Sequence, residues 1–407
     1  MPMTSSSPRV TLKPYKDTPV LAGHPWIFSE ALTETLSVEP GEIVNVFSAR
    51  GACLGRGTYN PLTSIRVRML TRDPEEAIDA AYFSKRFSSL NDWKKIHLPP
   101  ETTGYRIVHA EADGIPGLIV DRYADVCVFQ LHTAGMERLR DQIIQAIHDT
   151  FYPAAIVERS DLSVRRREGL HTEPIEIHHG TIHGPILFQE AGLWFFADVL
   201  KGQKTGFFLD QRDARISVQK RAKGKRVLNL FGYTGAFSVH AARGGADFVA
   251  TVDVSHAALE LAEQNLQKNG FDPHDEDRFL SLEADVLDLL RDPNLPGGPY
   301  DFIICDPPAF AKSEAKLPQA MKAYTELNID CLRRLSPGGI LVTSSCSGRV
   351  TQDDFRSLLR LAAGRASRQV RLLDWITQPI DHAENLAFPE GRYLKTAILE
   401  VTKDLAK

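Results

Sequence analysis

The chain has 407 residues, of which 43% are hydrophobic and 25% are charged, and its formal net charge at pH 7 is −4. This length predicts two or three domains, and the composition excludes a disordered chain, a collagen-like fibre and a small scaffold held by disulfides. A protein that binds nucleic acid over its whole surface should be more basic, so any such role requires local basic patches.

The five cysteines are scattered along the chain, and no pair has C-x-x-C spacing. This pattern argues against a disulfide framework and against a metal site, and it favours a reducing, cytoplasmic compartment. Residues 1–10 lack the apolar segment of a secretory signal. No apolar stretch approaches the ~20 residues that a membrane-spanning helix needs, so we expect no membrane partner.

The first two predicted domains precede residue 191. Residues 1–75 have short apolar runs between Gly- and Pro-containing turns, which is typical of a small β-barrel. Residues 76–190 predict a small α+β connector domain. Strands are predicted over 10–12, 42–47, 52–59, 64–69, 118–121, 126–131 and 155–159, and helices from 73–76 toward Trp93 and over 136–151.

The third predicted domain, 191–407, alternates apolar strands with helices from residue 225 onward. Strands are predicted over 226–230, 248–253, 279–283, 301–305 and 339–344, helices over 235–244, 256–269, 317–335 and 352–366, and two final strands over 370–375 and 393–401. Such alternation predicts a mostly parallel seven-stranded sheet with helices on both faces.

A glycine-containing turn follows the first strand of this sheet, with the sequence Phe231-Gly232-Tyr233-Thr234-Gly235. Glycines at a strand-to-helix turn let a ligand approach the backbone closely. The spacing is G-x-x-G, and the incomplete dinucleotide fingerprint argues against NAD. A tight turn without a ligand is an equal alternative for this segment taken alone.

Two carboxylates follow the next two strands. Asp253 ends the second strand, where a carboxylate can accept hydrogen bonds from ribose hydroxyls. Asp285 follows the third strand, where it could meet an adenine amine. Each could instead cap a helix. However, the glycine-containing turn, Asp253 and Asp285 follow three successive strands, which is where open α/β sheets bind ligands.

The fourth and fifth strands lead into the candidate reacting residues. Asp306-Pro307-Pro308-Ala309-Phe310 follows the fourth strand, and its two prolines stiffen the backbone, which suits a site that holds a planar base. A structural Asp-Pro turn is the alternative. The fifth strand leads into Ser345-Cys346-Ser347-Gly348, which places Cys346 on the loop beside Asp306. The other four cysteines are expected in the core.

These segments, in this order, resemble the RlmI family of bacterial S-adenosylmethionine-dependent enzymes that methylate C5 of a cytosine in 23S rRNA. The resemblance covers nearly the whole chain. Further matching segments are the start of a PUA domain, an RNA-binding β-barrel, at 24–28, a central segment at 159–169, an additional cofactor motif at 203–212 and a tail motif at 389–395.

The resemblance implies a class I methyltransferase domain, Rossmann-like, behind a PUA-like barrel and a connector. It also implies S-adenosyl-L-methionine as cofactor and 23S rRNA or its precursor particle as partner, with a homodimer left open. Together with the strand-end positions, it indicates the cofactor-binding residues Gln211, Phe231, Gly232, Tyr233, Thr234, Gly235, Asp253, Asp285, Asp306 and Pro307.

In the mechanism that the resemblance implies, Cys346 adds to C6 as a thiolate and Asp306 binds the N3/N4 edge of the cytosine. The attacking thiol needs a depressed pKa, and a capping box at Thr351 and Asp354 predicts a helix N-terminus after the cysteine loop. Ala309 stands where other cytosine-C5 RNA methyltransferases carry a second cysteine, so the base that removes the C5 proton stays open. We assign no role to residues 189–192.

Two basic segments are candidates for RNA contacts. Residues 201–226 contain nine Lys/Arg and two Asp, a net charge of +7, and Arg165-Arg166-Arg167 forms a second cluster. Phosphate contacts need positive charge, so the predicted RNA-binding residues are Arg165, Arg166, Lys204 and Arg212. A solvated basic face is the alternative for each segment.

Two other functions fit parts of the same pattern. The segment 306–310 also resembles the signature of methyltransferases that act on exocyclic amines, which need no cysteine. A non-catalytic rRNA-binding assembly factor that keeps the fold is the second alternative.

Overall fold

The computed structural model describes residues 7–311 and 314–404, without the side chain of Glu314. The chain forms two compact units. The first comprises the chain up to residue 188 with 197–209 and 380–391, and the second comprises 189–196, 210–379 and the chain from 392 onward. The three domains 1–75, 76–190 and 191–407 stay a prediction.

The first unit begins with a five-stranded sheet. Its elements are β1 (Arg9–Thr11), α1 (Thr18–Leu21), β2 (Trp26–Phe28), β3 (Glu42–Phe47), β4 (Cys53–Tyr59) and β5 (Ile65–Thr71). The strand order is β1-β3-β4-β5-β2, with β1 parallel to β3 and the other pairs antiparallel. Alternate residues of β3, such as Val44 and Val46, are buried because successive side chains of a strand point to opposite faces.

A second five-stranded sheet follows in the same unit. Its elements are α2 (Ala80–His97), β6 (Gly104–His109), β7 (Leu118–Tyr123), β8 (Val126–Leu131), α3 (Ala134–Arg138), α4 (Arg140–Phe151), β9 (Ala155–Glu158) and β10 (Glu176–His179). The strand order is β10-β9-β8-β7-β6, with only the β8–β9 pair parallel among these pairings. The predicted strands are confirmed.

Both predicted helices of this region differ in their bounds. The side chain of Asp79 caps α2 by accepting from the backbone N–H of Tyr82 at 3.0 Å, so the helix begins later than predicted. Asp73 instead closes a turn by accepting from the N–H of Glu75. The helix predicted over 136–151 is split, because Leu139 leaves helical geometry at ψ 14° between α3 and α4.

A two-stranded sheet, β11 (Ile186–Glu190) and β12 (Leu193–Ala197), lies where the chain passes from one unit to the other. The second unit then contains α5 (Arg212–Gln219), β13 (Arg226–Leu230), α6 (Ala236–Arg243), β14 (Phe248–Asp253), α7 (His256–Lys268), β15 (Phe279–Glu283), α8 (Val286–Arg291), β16 (Phe302–Cys305), α9 (Leu317–Arg333), β17 (Ile340–Ser345), α10 (Gln352–Arg365), β18 (Arg368–Ile376) and β19 (Lys395–Asp404). The predicted alternation is confirmed, and helices α5 and α8 were not predicted.

The seven strands β13 to β19 form one sheet in the order β15-β14-β13-β16-β17-β19-β18. The first five are parallel, and β19 runs antiparallel between β17 and β18. The order reverses between β13 and β16, and ligands of open α/β sheets bind at the carboxyl ends of strands beside such a reversal. Because β19 is antiparallel, its amino end lies at this same edge, where Lys395 pairs with Ser345.

Candidate active site

The glycine-containing turn after β13 has three residues with left-handed backbone geometry. The φ angles are 57° at Phe231, 46° at Tyr233 and 70° at Gly235. Left-handed geometry is uncommon for non-glycine residues and occurs often at functional turns. The sequence therefore forms a sharply folded turn between β13 and α6.

Close packing explains why glycines occupy two positions of this turn. A Cβ at Gly232 would lie 2.6 Å from Cγ2 of Thr251, and a Cβ at Gly235 would lie 2.6 Å from Cβ of Ala262. Thr234 is buried, and its carbonyl accepts a hydrogen bond from the Asn265 amide at 2.8 Å. The turn is thus held against β14 and α7.

The carboxylate of Asp253 reaches the same turn. Its Oδ2 accepts from the backbone N–H of Tyr233 at 2.8 Å, and its Oδ1 accepts from the N–H of Ser255 at 3.0 Å. Ser255 caps α7, so the alternative that Asp253 is the helix cap is not realised. Asp253 orders the turn at the position where it was predicted to bind ribose.

Asp285, in contrast, does cap a helix. Its Oδ1 accepts from the backbone N–H groups of Leu287 and Asp288, at 2.8 and 3.2 Å, at the start of α8. The side chain is exposed beside the end of β15. Its contact with an adenine amine stays a prediction.

Two predicted site residues from distant segments meet at the end of β16. Nε2 of Gln211 donates to Oδ1 of Asp306 at 2.8 Å. Gln211 is buried, and its Oε1 has no hydrogen-bond partner among residues 7–311 and 314–404. A buried acceptor without a partner is costly, so this oxygen is positioned to receive a donor from a ligand. Pro307 is buried directly after the carboxylate.

The tail motif meets the additional cofactor motif in the second unit. The hydroxyl of Tyr393 donates to Oδ2 of Asp210 at 2.7 Å, and the backbone N–H of Tyr393 donates to the side chain of Gln378. The bond between Tyr393 and Asp210 joins residues 183 positions apart in the chain. Within the second unit, the segment from residue 392 is therefore bonded to the start of α5.

Cys346 is half-buried on the loop that follows β17. Within that loop, the hydroxyl of Ser347 donates to the carbonyl of Ala311 at 3.0 Å. Ala311 lies on the loop that begins at Asp306, so the two candidate reacting loops are tied together. The predicted capping box of α10 is confirmed, with reciprocal bonds between Thr351 and Asp354.

The phenol of Tyr324, on α9, lies near both candidate reacting residues. Burial raises its pKa to about 12, and the nearby Cys346 and Asp306 act in the same direction. This hydroxyl therefore stays neutral at physiological pH and offers no negative charge of its own to the site.

The expectation that the other cysteines are core residues is confirmed for Cys127, Cys305 and Cys331 and is wrong for Cys53. The neighbouring Cys331 and burial raise the pKa of Cys305 well above its usual value. Cys53 is exposed because it stands at the outer end of β4, where the buried alternation has not yet begun.

Glu190, to which no role was assigned, is the centre of a buried ion cluster. Its carboxylate binds Nε and NH2 of Arg215 at 2.7 and 2.6 Å, with Arg212 at 3.7 Å and His240 at 3.5 Å. Burial alone would raise the pKa of Glu190, but the charge and hydrogen bonds of Arg215, together with the nearby His240 and Arg212, lower it to about 2. A single glutamate in a neutral stretch carried no sequence signal of this role.

The four predicted RNA-binding residues divide into two buried and two exposed side chains. Arg212 is buried in the Glu190 cluster. Arg165 is buried as well, donating to the carbonyls of Leu131 and His171 and to Glu137. Their enclosure argues against phosphate contact, and this corrects the expectation drawn from charge alone.

Arg166 and Lys204 are exposed. The ammonium of Lys204 lies 4.4 Å from the centroid of the Phe208 ring, a cation–π arrangement. These two residues keep their predicted role as candidates for phosphate contacts.

One group of residues has the composition of a metal site. Ligand atoms of Glu158, Glu176 and His178 all lie within 4.8 Å of one another. Glu158 is already bound by Arg140 at 3.2 Å and by His178 at 2.9 Å. We interpret the group as an ion-pair network of the first unit. Among the described helices, none is long and apolar enough to cross a membrane.

Comparisons with known proteins agree with this architecture. A family model described as S-adenosylmethionine-dependent methyltransferase matches residues 166–382, and one described as PUA-like domain matches residues 10–72. The chain is 41% identical over 402 residues to the ribosomal RNA large subunit methyltransferase I of Shewanella denitrificans, covering 97% of this chain and 99% of that protein.

Two solved structures share the fold over nearly the whole chain. A SAM-dependent methyltransferase from Streptococcus mutans has a TM-score of 0.81 at 24% identity, covering 97% of this chain and 100% of that one. A methyltransferase crystallised with SAH has a TM-score of 0.82 at 25% identity, with the same coverage.

The cofactor of this protein is S-adenosylmethionine, and the site fits it. The sharply folded turn 231–235 follows β13 at the carboxyl edge of the sheet, where open α/β sheets bind ligands, and the Oε1 of Gln211 is a buried acceptor at the same edge. On these grounds, the chain belongs to the family of ribosomal RNA large subunit methyltransferase I, S-adenosylmethionine-dependent methyltransferases that carry a PUA-like domain.

Proposed function

We propose that this protein methylates C5 of a cytosine in 23S rRNA and that Cys346 forms a covalent bond to C6 of that base. The observation that carries the proposal is the half-buried thiol of Cys346 on a loop bonded, through Ser347, to the loop of Asp306. The name of the relative from Shewanella denitrificans supports large-subunit rRNA as the substrate.

The thiol is needed because C5 of cytosine is a weak nucleophile. When the thiolate of Cys346 adds to C6, the ring gains an enamine whose electron density lies on C5. Bound S-adenosylmethionine supplies the electrophilic methyl group that C5 accepts. A base then takes the C5 proton, the C5–H electron pair forms the C5–C6 double bond as the Sγ–C6 bond breaks, and Cys346 leaves as a thiolate.

Asp306 serves the other edge of the base. The amide of Gln211 holds its Oδ1, which fixes the orientation of the carboxylate. In this orientation Asp306 accepts from the N4 amine and favours a proton on N3 while Cys346 is bonded to C6. The stiff Pro307-Pro308 segment keeps the carboxylate at the mouth of the site.

The RNA must present the cytosine outside a helix, because a thiol cannot reach C6 of a stacked and paired base. Arg166 and Lys204, both exposed, supply positive charge for the phosphate backbone. The PUA-like domain at residues 10–72 is the second candidate surface for RNA. The proposed substrate is 23S rRNA or its precursor particle. We also propose a cytoplasmic location, as expected from the cysteine pattern.

A second candidate function is methylation of an exocyclic amine, which the Asp306-Pro307-Pro308 segment also favours. A nitrogen lone pair attacks the methyl group directly, so that reaction has no use for Cys346. The thiol therefore distinguishes the two reactions.

The test compares 23S rRNA from cells that carry or lack the gene, by mass-spectrometric nucleoside mapping. We expect one 5-methylcytidine to disappear and to return with the wild-type protein but not with Cys346→Ala. The matched control is Cys53→Ala, which removes an exposed thiol. An unchanged 5-methylcytidine pattern refutes the substrate, and full activity of Cys346→Ala refutes the covalent step.

A trapping experiment tests the intermediate directly. RNA that carries 5-fluorocytidine cannot lose a proton from C5, so the adduct should persist and retard the protein on a denaturing gel. The adduct should map to the peptide containing Cys346. Failure to bind S-adenosylmethionine in calorimetry would instead favour the non-catalytic assembly factor.

A further inference from the structure

We propose that Lys395 is a positioning residue that fixes the loop of Cys346 and favours the thiolate form of its sulfur. The inference rests on the proposed function of that thiol. Lys395 is buried, and its ammonium donates to the carbonyls of Ser347 and Val350 at 2.7 and 2.6 Å. Both acceptors belong to the segment 346–350, which we call the Cys346 loop.

Strand register brings the lysine to this place. In the antiparallel pair of β17 and β19, Lys395 lies opposite Ser345, the residue before Cys346. The next pair, Ser344 and Thr396, is joined by a hydroxyl–hydroxyl bond of 2.8 Å. The position of the ammonium is therefore set by the sheet, and the loop is held by two bonds from a rigid element.

The lysine also changes the electrostatics of the thiol. In the described part of the chain, charged and titratable residues near this loop include Asp306 after β16, Tyr324 on α9, Asp354 on α10, and Arg392 and Tyr393 before β19. The negative charges of the two carboxylates oppose a thiolate, and the neutral phenol of Tyr324 adds no further negative charge. Lys395 supplies the positive charge that stabilises the thiolate.

Burial lowers the pKa of Lys395 to about 8, so the amine is mostly protonated below that pH, and the nearby Cys346 and Asp354 act to raise its pKa. Arg349, a basic residue of the same loop, is exposed, and solvent screens its charge.

The test measures the alkylation rate of Cys346 by iodoacetamide against pH, with peptide mass spectrometry, in the full-length protein without RNA. We expect Lys395→Met to move the midpoint upward by about one pH unit or more, as removal of a nearby opposite charge does. Lys395→Arg should restore a midpoint close to wild type. Lys403→Met, at the exposed end of β19, is the matched control and should change nothing.

The exposed thiol of Cys53 is an internal reference in every sample. An unchanged Cys346 midpoint in a folded Lys395→Met protein overturns the proposal. If circular dichroism shows that this variant is unfolded, Lys395→Gln, which can still donate to one carbonyl, takes its place with the same expected shift. If Cys346→Ala still methylates RNA while Lys395→Met moves the midpoint, the proposed function fails and the pairing of lysine and thiol stands.

Discussion

The amide of Gln211 and the carboxylate of Asp306 share a 2.8 Å hydrogen bond although 95 positions separate them in the chain. The bond uses one oxygen of the carboxylate and leaves the Oε1 of the glutamine buried without a partner in the described part of the chain. One side chain therefore orients the residue proposed to bind the base and offers an acceptor to a ligand.

Replacing Gln211 by Ala should lower kcat/KM about ten- to a hundredfold, because a hydrogen bond to a charged group contributes about 1.5–3 kcal/mol. Steady-state methylation of an rRNA fragment measures it. Gln267→Ala, on the exposed face of α7, is the control. Wild-type kcat/KM in Gln211→Ala would remove the orienting role.

Replacing Glu190 by Gln should destabilise the protein by about 3–5 kcal/mol, because the buried guanidinium groups of Arg212 and Arg215 would lose a buried counter-charge. Urea unfolding at neutral pH measures the loss. Glu260→Gln, at an exposed site on α7, should have an effect close to zero. A small effect at Glu190 would show that the cluster is dispensable.

The same carboxylate predicts a pH dependence. Its pKa in the folded protein is lowered from the ordinary value of 4.5 to about 2. A group with a depressed folded pKa contributes stability that is fully present above its unfolded pKa and is lost as pH falls. Wild-type stability should therefore fall between about pH 4.5 and pH 2 more steeply than that of Glu190→Gln, as measured by urea unfolding at several pH values.

Replacing Gly235 by Ala should destabilise the protein more than the same change at Gly270. Both glycines have positive φ, 70° and 84°, but a Cβ at Gly270 meets nothing within 4 Å. The left-handed backbone costs each variant about 1–2 kcal/mol, and the clash with Ala262 should add at least about 1 kcal/mol at Gly235. Calorimetry should also show weaker S-adenosylmethionine binding for Gly235→Ala alone.

Substitutions at the neighbouring residues Arg165 and Arg166 should have different effects, one on the stability of the protein and the other on RNA binding. Arg166→Ala should weaken binding of rRNA fragments and reduce the salt dependence by about one counterion. Arg165→Ala should instead lower the urea midpoint, because the guanidinium is buried on Glu137 and two carbonyls. Equal salt slopes for Arg166→Ala and wild type would contradict a phosphate contact.

Much of the architecture could be predicted from local patterns. Strand and helix periodicity are local properties, and the predicted strands 226–230 and 248–253 match β13 and β14. The short helix α8 was missed because its six residues span too few turns to show a helical period. The pattern predicted one helix over 136–151, but the backbone of Leu139 leaves helical geometry and separates α3 from α4.

By itself, the sequence determined the order of strands and helices and the set of residues at strand ends, including Asp253, Asp306 and Cys346, because these depend on neighbours along the chain. Only the tertiary structure decided which charges are enclosed. Arg165 and Arg166 are adjacent and chemically identical, yet one is buried and one exposed. Lys395 bonds to Ser347, 48 positions earlier in the chain, because β19 pairs antiparallel with β17. Burial and long-range contacts of this kind follow from packing between distant segments.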